Sequence, residues 1–259
     1  MSDYLDTLAY DTKKTIAEDY YKISNQPPTQ SISLRKAIID SQKNPVITEI
    51  KAASPSKGII KASFEPVNIA RAMINGGAVG ISVLTEPKHF KGSLNYLAEI
   101  REAINSPILM KDFIISPIQI ETAAKLGANV VLLIEALFER EYTEYSLDKM
   151  IKEAHSKHLE VLLETHKEHE FRHAIETDAD LVGINNRDLR TLKINLKTTE
   201  RILKKNESNG KVVISESGVM KPSDLVFLRK CGAQAFLIGS SVMMAENVEQ
   251  KVKEFVTAY

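Results

Sequence analysis

One pattern repeats along the chain from residue 46 onward and limits the folds open to it. A short apolar run rich in β-branched residues is followed by a polar or glycine-containing turn and then by an amphipathic helical segment. This alternation predicts a parallel sheet, because each helix returns the chain to the end of the sheet where the previous strand began. The eight predicted strands cover residues 46–51, 80–85, 108–112, 130–135, 160–165, 181–186, 212–216 and 235–239.

Helical segments alternate with these strands and complete the repeat. They cover residues 67–75, 94–104, 118–126, 147–157, 168–176, 198–205, 223–230 and 248–256. Eight repeats favour closure into a (β/α)8 TIM barrel, which uses about 250 residues as one domain. An open, doubly wound α/β sheet is the alternative, but no Gly-x-Gly-x-x-Gly follows the first strand. We therefore predict a single barrel domain over residues 1–259.

Residues 1–45 precede the repeat and contain two helix-like segments, 5–21 and 33–41. The sequence Asn-Gln-Pro-Pro at 25–28 separates them and indicates a turn. The whole segment is too short for a core of its own. We predict that it is a helical extension packed over the active-site face of the barrel. Its predicted apolar face consists of Leu34, Ile38 and Ile39.

Composition and charge exclude several classes of partner. The 34 basic and 34 acidic residues balance, so no overall field attracts nucleic acid or an anionic membrane. The single cysteine, Cys231, excludes an intramolecular disulfide and a cysteine-based metal cluster. No apolar run approaches the roughly 18 residues of a membrane span. We expect a cytoplasmic enzyme that acts on a small molecule and binds neither nucleic acid nor membrane.

Charged and amide side chains recur at the carboxyl ends of the predicted strands. Glu49 and Lys51 lie two residues apart in the first strand, so both point to the same side. The other strand ends supply Lys111, Glu164, Asn185, Arg187, Glu216 and Ser217. Each residue alone is more typical of a solvated loop or an ion pair. In a barrel these ends share one face, and collecting so many charges there is costly unless they have a task, so the pattern predicts an active site.

Two glycine-containing turns follow the seventh and eighth predicted strands. Gly218 comes after Glu216 and Ser217, and Gly239 is followed by Ser240 and a short helical turn. Barrels commonly bind phosphate at this position, because backbone N–H groups at a helix start favour an anion and glycine lets it approach closely. The turns therefore predict a phosphate site. The alternative is that both glycines only serve tight turns.

Four segments of the chain resemble the indole-3-glycerol-phosphate synthase family and occur in the order typical of that family. They are EIKAASPSKG at 49–58, KDFI at 111–114, GINNRDL at 183–189 and SESG at 215–218. The resemblance extends from about residue 3 to the end of the chain and includes the amino-terminal extension. The first segment discriminates best, because a strand-end Glu and Lys followed by Ser-Pro-Ser is unusual in other phosphate-binding barrels.

The resemblance implies a reaction and roles for individual residues. The reaction is the decarboxylating and dehydrating closure of 1-(2-carboxyphenylamino)-1-deoxyribulose 5-phosphate to indole-3-glycerol phosphate in tryptophan biosynthesis, with no metal and no organic cofactor. In it, Lys111 is the general acid for the carbonyl, and Lys51 pairs with the substrate carboxylate. Glu164 has an acid/base role, and Glu49 pairs with lysine or acts in dehydration. Lys51 as the acid for dehydration is an alternative.

The resemblance also implies which residues bind the substrate. Those that bind the ribulose-derived hydroxyls and orient the carboxylates are Asn185, Arg187, Glu216 and Ser217. Phe90 contacts the aromatic ring, and Phe113 is a further substrate-binding residue. Those that form the phosphate pocket are Ser54, Gly218, Gly239 and Ser240. The expected partner is the phosphorylated substrate alone, with the enzyme a monomer and a weak homodimer as the alternative.

Other functions fit parts of the pattern. His166, His169 and His173 share a helical face and offer zinc ligands, but their Lys- and Glu-rich segment is typical of a solvated outer helix. A strand-end lysine that forms a Schiff base would instead indicate an aldolase. Phosphoribosylanthranilate isomerase and an inactive phosphometabolite-binding subunit are the nearest barrel alternatives. The combined set of strand-end acids and lysines disfavours both.

Overall fold

The computed structural model describes residues 3–24, 32–54, 58–59 and 64–259. Its strands are β1 (Val46–Ile50), β2 (Ala53–Ser54), β3 (Gly58–Ile59), β4 (Gly80–Leu84), β5 (Ile108–Lys111), β6 (Val130–Ile134), β7 (Glu160–Thr165), β8 (Leu181–Asn185), β9 (Val212–Glu216) and β10 (Ala235–Ile238). In the described residues, eight parallel strands close into a barrel in the order β1-β10-β9-β8-β7-β6-β5-β4. β2 and β3 form a separate antiparallel pair. The predicted (β/α)8 barrel is confirmed. We call the face formed by the carboxyl ends of its strands the mouth.

The helices of the described residues surround this barrel. They are α1 (Tyr4–Ala17), α2 (Leu34–Ile39), α3 (Pro66–Asn75), α4 (Leu94–Ala103), α5 (Pro117–Lys125), α6 (Glu135–Glu139), α7 (Leu147–Ser156), α8 (Glu168–Glu176), α9 (Lys197–Leu203), α10 (Pro222–Lys230), α11 (Ser240–Met243) and α12 (Val248–Val256). The eight barrel helices predicted from the sequence begin and end within two residues of these bounds. The short helix α6, which directly follows β6, was not predicted. None of the helices in these ranges is both long and apolar enough to cross a bilayer.

Two apolar layers hold each barrel strand in place, because successive side chains of a strand point to opposite faces. In β8, Leu181 packs inside the barrel with Leu162 and Ile214. Its neighbours Val182 and Ile184 pack outward against the helices. Fully burying such a side chain contributes roughly 1.5–3 kcal/mol. The same alternation determines which strand-end residues face the interior at the mouth.

Helix α1 lies at the mouth. At its start, the Tyr4 hydroxyl lies 3.3 Å from Nδ1 of His89, in the loop after β4. Arg140, just beyond α6, donates hydrogen bonds of 2.8 and 2.9 Å to Asp3 and of 2.5 Å to Asp6. α1 is shorter than predicted and is followed by Asp19, whose φ of 61° lies in the left-handed region.

Helix α2 lies at the opposite end of the barrel, so the prediction that all of residues 1–45 would cover the mouth is wrong for this helix. The backbone N–H groups of Leu34 and Arg35 donate to Glu160, the first residue of β7, at 2.9 and 3.1 Å. Leu34 and Ile38 are buried, whereas Ile39 is 55% exposed and does not share their face. The physical reason is that the lower end of the apolar interior also needs a cover, which the buried side of α2 provides.

Candidate active site

The predicted catalytic side chains meet in one cleft at the mouth. Lys111 ends β5, and its Nζ atom donates hydrogen bonds of 3.1 Å to Glu164 Oε2 and 2.9 Å to Glu216 Oε2. Both carboxylates belong to other strands, β7 and β9, and both are buried. Burial opposes the charge on Lys111, but Glu216, Glu164 and Glu49 together raise its pKa well above the usual value. Lys111 is therefore an ammonium group at neutral pH, held by charge-assisted hydrogen bonds.

A second acid and lysine pair lies on β1 and just beyond it. Lys51 Nζ is 2.5 Å from Glu49 Oε1, and both side chains are largely buried. Burial acts to raise the pKa of Glu49, but the positive charges of Lys51 and Lys111 outweigh it and hold that pKa below its usual value. The site thus contains an ionised carboxylate between two lysines.

The surroundings of Glu216 strongly perturb its protonation. Burial raises its pKa to about 7, and the negative charge of Glu164 adds to this, while Lys111 acts in the opposite direction. Its Oε1 atom is buried and has no hydrogen-bond partner within the described part of the chain. Burying a carboxylate oxygen without a hydrogen bond costs free energy, because the oxygen loses its contacts with water. The surrounding structure therefore holds Glu216 in an unfavourable environment.

The polar residues after β8 form one side of the cleft. Asn185 donates a 2.8 Å hydrogen bond to Glu164 Oε1 and accepts one of 2.9 Å from the backbone N–H of Arg187. The Arg187 side chain donates to the carbonyl of Leu192 at 3.2 Å and lines the cleft. Ser217 also lines it, in the left-handed conformation with φ of 65°. Asn185 thereby orients Glu164, while Arg187 and Ser217 face the open space.

An apolar compartment adjoins the charged one. The predicted ring contact Phe90 packs against Phe113, which was predicted to bind the substrate, with ring centroids 5.8 Å apart. Sequence reasoning missed most of the remaining wall, which consists of Tyr4, Leu84, Leu132, Ile134, Leu189 and Leu192. The amphipathic start of α1 is the signal that could have identified Tyr4. This compartment has the apolar and aromatic lining of a pocket for an aromatic group.

The loop that carries Phe90 is organised by another residue that sequence reasoning missed. The buried carboxylate of Glu86 accepts hydrogen bonds from the backbone N–H groups of Lys88, His89 and Phe90, at 2.8, 2.7 and 2.9 Å. Three donors on one carboxylate fix a tight loop. Glu86 therefore positions Phe90 in the wall of the compartment.

The two predicted phosphate turns lie side by side beyond the charged compartment. Gly218, with φ of 93°, and Gly239 and Ser240, at the start of α11, line one cavity together with Lys51 and Arg187. In the described part of the chain, the backbone N–H groups of Gly218, Ser240 and Ser241 donate no hydrogen bond. These donors are available to an anion. The predicted contribution of Ser54 stays a prediction, because its side chain lies outside the described residues.

The three histidines that offered zinc ligands bind three different partners. His166 Nδ1 lies 2.7 Å from the carbonyl of Asn185, and His173 Nδ1 lies 2.6 Å from Glu135. His169 pairs with Glu139, next to Glu170. The ammonium of Lys167 is already 2.7 Å from Glu170. The imidazoles therefore do not converge on one point as a set of three.

Comparison with known proteins gives the same family as the resemblance seen in the sequence. The family model described as indole-3-glycerol phosphate synthase matches residues 5–255. A protein of that name from Methanocaldococcus jannaschii is 46% identical over 231 residues, which cover 88% of this chain and 84% of the relative. Another from Acetivibrio thermocellus is 43% identical over 210 residues, covering 81% of this chain and 79% of the relative.

Solved structures share the fold at much lower identity. Thiamine phosphate pyrophosphorylase from Pyrococcus furiosus superposes with a TM-score of 0.59 at 14% identity, covering 86% of this chain and 96% of that chain. Such a likeness concerns the barrel alone. The match to the family model and the identity to curated relatives carry the assignment, and the chain belongs to the indole-3-glycerol phosphate synthase family.

Proposed function

We propose that this chain catalyses the decarboxylating and dehydrating closure of 1-(2-carboxyphenylamino)-1-deoxyribulose 5-phosphate to indole-3-glycerol phosphate, as a lyase of tryptophan biosynthesis. One observation carries the proposal at the level of residues. The Lys111 ammonium, paired with Glu164 and Glu216, lies between an aromatic compartment and a cavity lined by free backbone donors. A substrate with an aromatic ring at one end and a phosphate at the other matches this order.

The first chemical step needs a proton donor at the carbonyl of the ribulose moiety. The ring carbon that bears the carboxylate attacks the ketone carbon, and the ketone oxygen takes a proton as the new carbon–carbon bond forms. Lys111 supplies that proton, since its carboxylate neighbours keep it charged before the reaction. A positioned acid of this kind typically contributes about 10²–10⁴-fold. The adjacent Glu216 carboxyl can return a proton to Lys111 in the next steps.

Loss of carbon dioxide and then of water completes the indole ring. Lys51 binds the substrate carboxylate and holds the folded conformer in which the ring carbon faces the ketone. After carbon dioxide leaves, the hydroxyl departs with a proton, and a second proton is removed from the neighbouring carbon of the former ribulose chain. Glu164, oriented by Asn185, is the proposed acid/base group for these transfers. The contact with Glu49 holds the Lys51 side chain in place.

The proposed binding contacts follow the order of the two compartments. Phe90 and Phe113 enclose the anthranilate ring, and Arg187 and Ser217 bind the hydroxyls of the ribulose chain. The phosphate binds between the turns at Gly218 and Gly239, with Ser240 and, from the first loop, Ser54. The proposed chemistry uses these side chains and backbone donors alone, with neither a metal nor an organic cofactor.

The proposal is tested by direct assay of the purified chain. Adding the carboxyphenylamino substrate should produce the fluorescence of an indole, and the product should be indole-3-glycerol phosphate by mass. Lys111→Met should reduce turnover at least a hundredfold without unfolding the chain. Sodium borohydride with a ketose phosphate should trap no covalent adduct, because Lys111 is charged and no Schiff base is needed. Wild-type protein without indole formation would reject the proposal.

We also propose that residues 1–259 act as one domain and as a monomer in the cytoplasm, with a weak homodimer as the alternative. The single domain is supported by the one closed barrel that the described residues form. Sedimentation at several concentrations measures the oligomeric state, and turnover per chain should not change with concentration.

A further inference from the structure

The inner face of β8 has a position without a side chain next to Glu164 and the Glu216 carboxylate. Gly183 pairs with Glu164 of β7 on one side and with Ile214 of β9 on the other. In the same strand, Leu181 points into the barrel, and residues two apart share a face. Gly183 therefore also faces the interior, where a barrel of this kind is normally filled by side chains.

The space that a side chain at residue 183 would occupy is taken by Glu216. A Cβ atom built on Gly183 would overlap Glu216 Oε1, and it would lie 3.3 Å from Glu216 Cδ and 3.4 Å from Glu164 Cα. The other oxygen of the same carboxylate, Oε2, is the one that accepts the 2.9 Å hydrogen bond from Lys111. The bare backbone of Gly183 and the ammonium of Lys111 thus enclose the Glu216 carboxylate from two sides.

We propose that Gly183 is a positioning residue for ring closure: its missing side chain leaves the slot in which the Glu216 carboxylate lies against Lys111. The backbone conformation does not require glycine, because Gly183 is in a regular strand and has no positive φ. Space is therefore the reason for glycine at this position. With even a methyl group there, Glu216 has to turn toward the mouth, and the hydrogen bond to Lys111 is lost or lengthened.

The test is a double-mutant cycle between Gly183→Ala and Glu216→Ala. In the wild-type background, Gly183→Ala should lower kcat at least tenfold. In the Glu216→Ala background, where the methyl group has free space, it should lower the remaining kcat less than threefold. An equal loss in both backgrounds, or a Gly183→Ala variant with more than half of the wild-type kcat, would overturn the positioning role.

A second glycine provides the matched control for effects on folding. A Cβ on Gly80, the first residue of β4, would lie 2.9 Å from Leu34 and 3.1 Å from the carbonyl of Pro107, at the end of the barrel far from the mouth. Gly80→Ala should therefore lower Tm but keep kcat within twofold. The decrease in Tm caused by Gly80→Ala should be the same in the wild-type and Glu216→Ala backgrounds.

Thermal unfolding keeps the proposal testable if Gly183→Ala does not fold. Removing the Glu216 side chain should restore space, so the double variant should fold and have a higher Tm than Gly183→Ala alone. A double variant that also fails to fold would contradict the proposal. The positioning role rests on the proposed function for its kinetic readout. A wild-type chain that forms no indole would reject the proposed function alone, because coupling in Tm tests the slot without substrate.

Discussion

Lys51 Nζ lies 2.5 Å from Glu49 Oε1, so the lysine proposed to bind the substrate carboxylate already has an acidic partner in the free enzyme. We predict that Lys51→Met raises KM at least tenfold and slows ring closure, because the substrate carboxylate loses its cation. Rapid quench of a single turnover should detect no decarboxylated hydroxyindoline. Accumulation of that species would instead assign Lys51 to dehydration. Lys43→Met, on an exposed loop, is the matched control.

Lys111 and Arg187 should differ in the kinetic constant that they affect. Lys111→Ala removes the proton donor for carbonyl attack and should lower kcat at least a hundredfold. Arg187→Ala removes a binding contact and should mainly raise KM, by about tenfold. Steady-state kinetics separate the two. Retention by Lys111→Ala of more than about a tenth of wild-type turnover would contradict its role as the acid.

Lys111→Ala should also lower stability, because it leaves Glu164 and Glu216 buried without their cation. Breaking such a pair typically costs about 3–5 kcal/mol unless a carboxylate takes up a proton. Urea unfolding at pH 6 and pH 8 measures this loss, which should be smaller at pH 6, where Glu216 is more easily protonated. An equal loss at both pH values would mean that Glu216 does not titrate in this range.

Ser240 offers a cleaner test of phosphate binding than either glycine. A Cβ on Gly239 would lie 2.5 Å from Glu49 and 2.8 Å from Lys51, so a substitution there also disturbs the catalytic pair. Ser240→Asp places a like charge beside the phosphate, while an acid at a helix start is not harmful to the fold. KM should rise at least tenfold at nearly constant kcat. Ser240→Asn, which is neutral and of similar size, should raise KM less than threefold.

Arg140 should control how firmly α1 covers the aromatic compartment. Its hydrogen bonds to Asp3 and Asp6 hold the start of the helix, from which Tyr4 reaches the compartment. The pairs are partly exposed, so we expect Arg140→Gln to weaken docking by roughly 1 kcal/mol and to raise KM about fivefold. Limited proteolysis near the amino terminus should accelerate. Arg172→Gln, which breaks an exposed pair within α8, should leave KM and the cleavage rate unchanged.

Asp112 should make stability fall as the pH rises. Burial raises its pKa to about 7, although Thr85, the Phe113 N–H and Tyr21 donate hydrogen bonds that act in the opposite direction. Between about pH 4 and pH 7 the folded chain therefore binds more protons than the unfolded chain, and stability decreases with pH across this window. Across this window the free energy of unfolding, measured with urea, should fall by on the order of a few kcal/mol because of Asp112, and Asp112→Asn should remove this decrease. The exposed Asp40→Asn should retain the decrease.

The barrel could be predicted because eight units of one strand and one helix repeat at similar spacing along the sequence. The number of units indicated that the sheet closes into a barrel. The same logic explains why Lys111, Glu164 and Glu216 could be assigned to one face before any distance was known. Their pairing could not be predicted, since it depends on the register between strands and on the rotamers in the interior. Sequence pattern likewise says that Leu34 and Ile38 are apolar, but not which end of the barrel they cover.

Gly183 illustrates a different limit of sequence reasoning. A glycine in the middle of a strand is a weak signal, because it lowers strand propensity and offers no side chain to interpret. Its role becomes visible only when the position of Glu216 is known. Tyr4 was missed because it reaches the cleft from a helix that precedes the barrel repeat. Glu86 was missed because its bonds to three backbone N–H groups depend on the conformation of the loop after β4.

The pairing of β1 with β10 brings Glu49 and Lys51 next to Gly239 and Ser240, residues from the two ends of the barrel sequence. Before β10 is inserted, the proposed phosphate site therefore lacks Gly239 and Ser240, and the edge of β1 that β10 covers is open to association with other chains. Recovery of enzymatic turnover therefore indicates that the β-barrel has closed. During refolding, enzymatic activity should recover later than the helical circular dichroism signal. The delay should equal the time that β10 needs to dock.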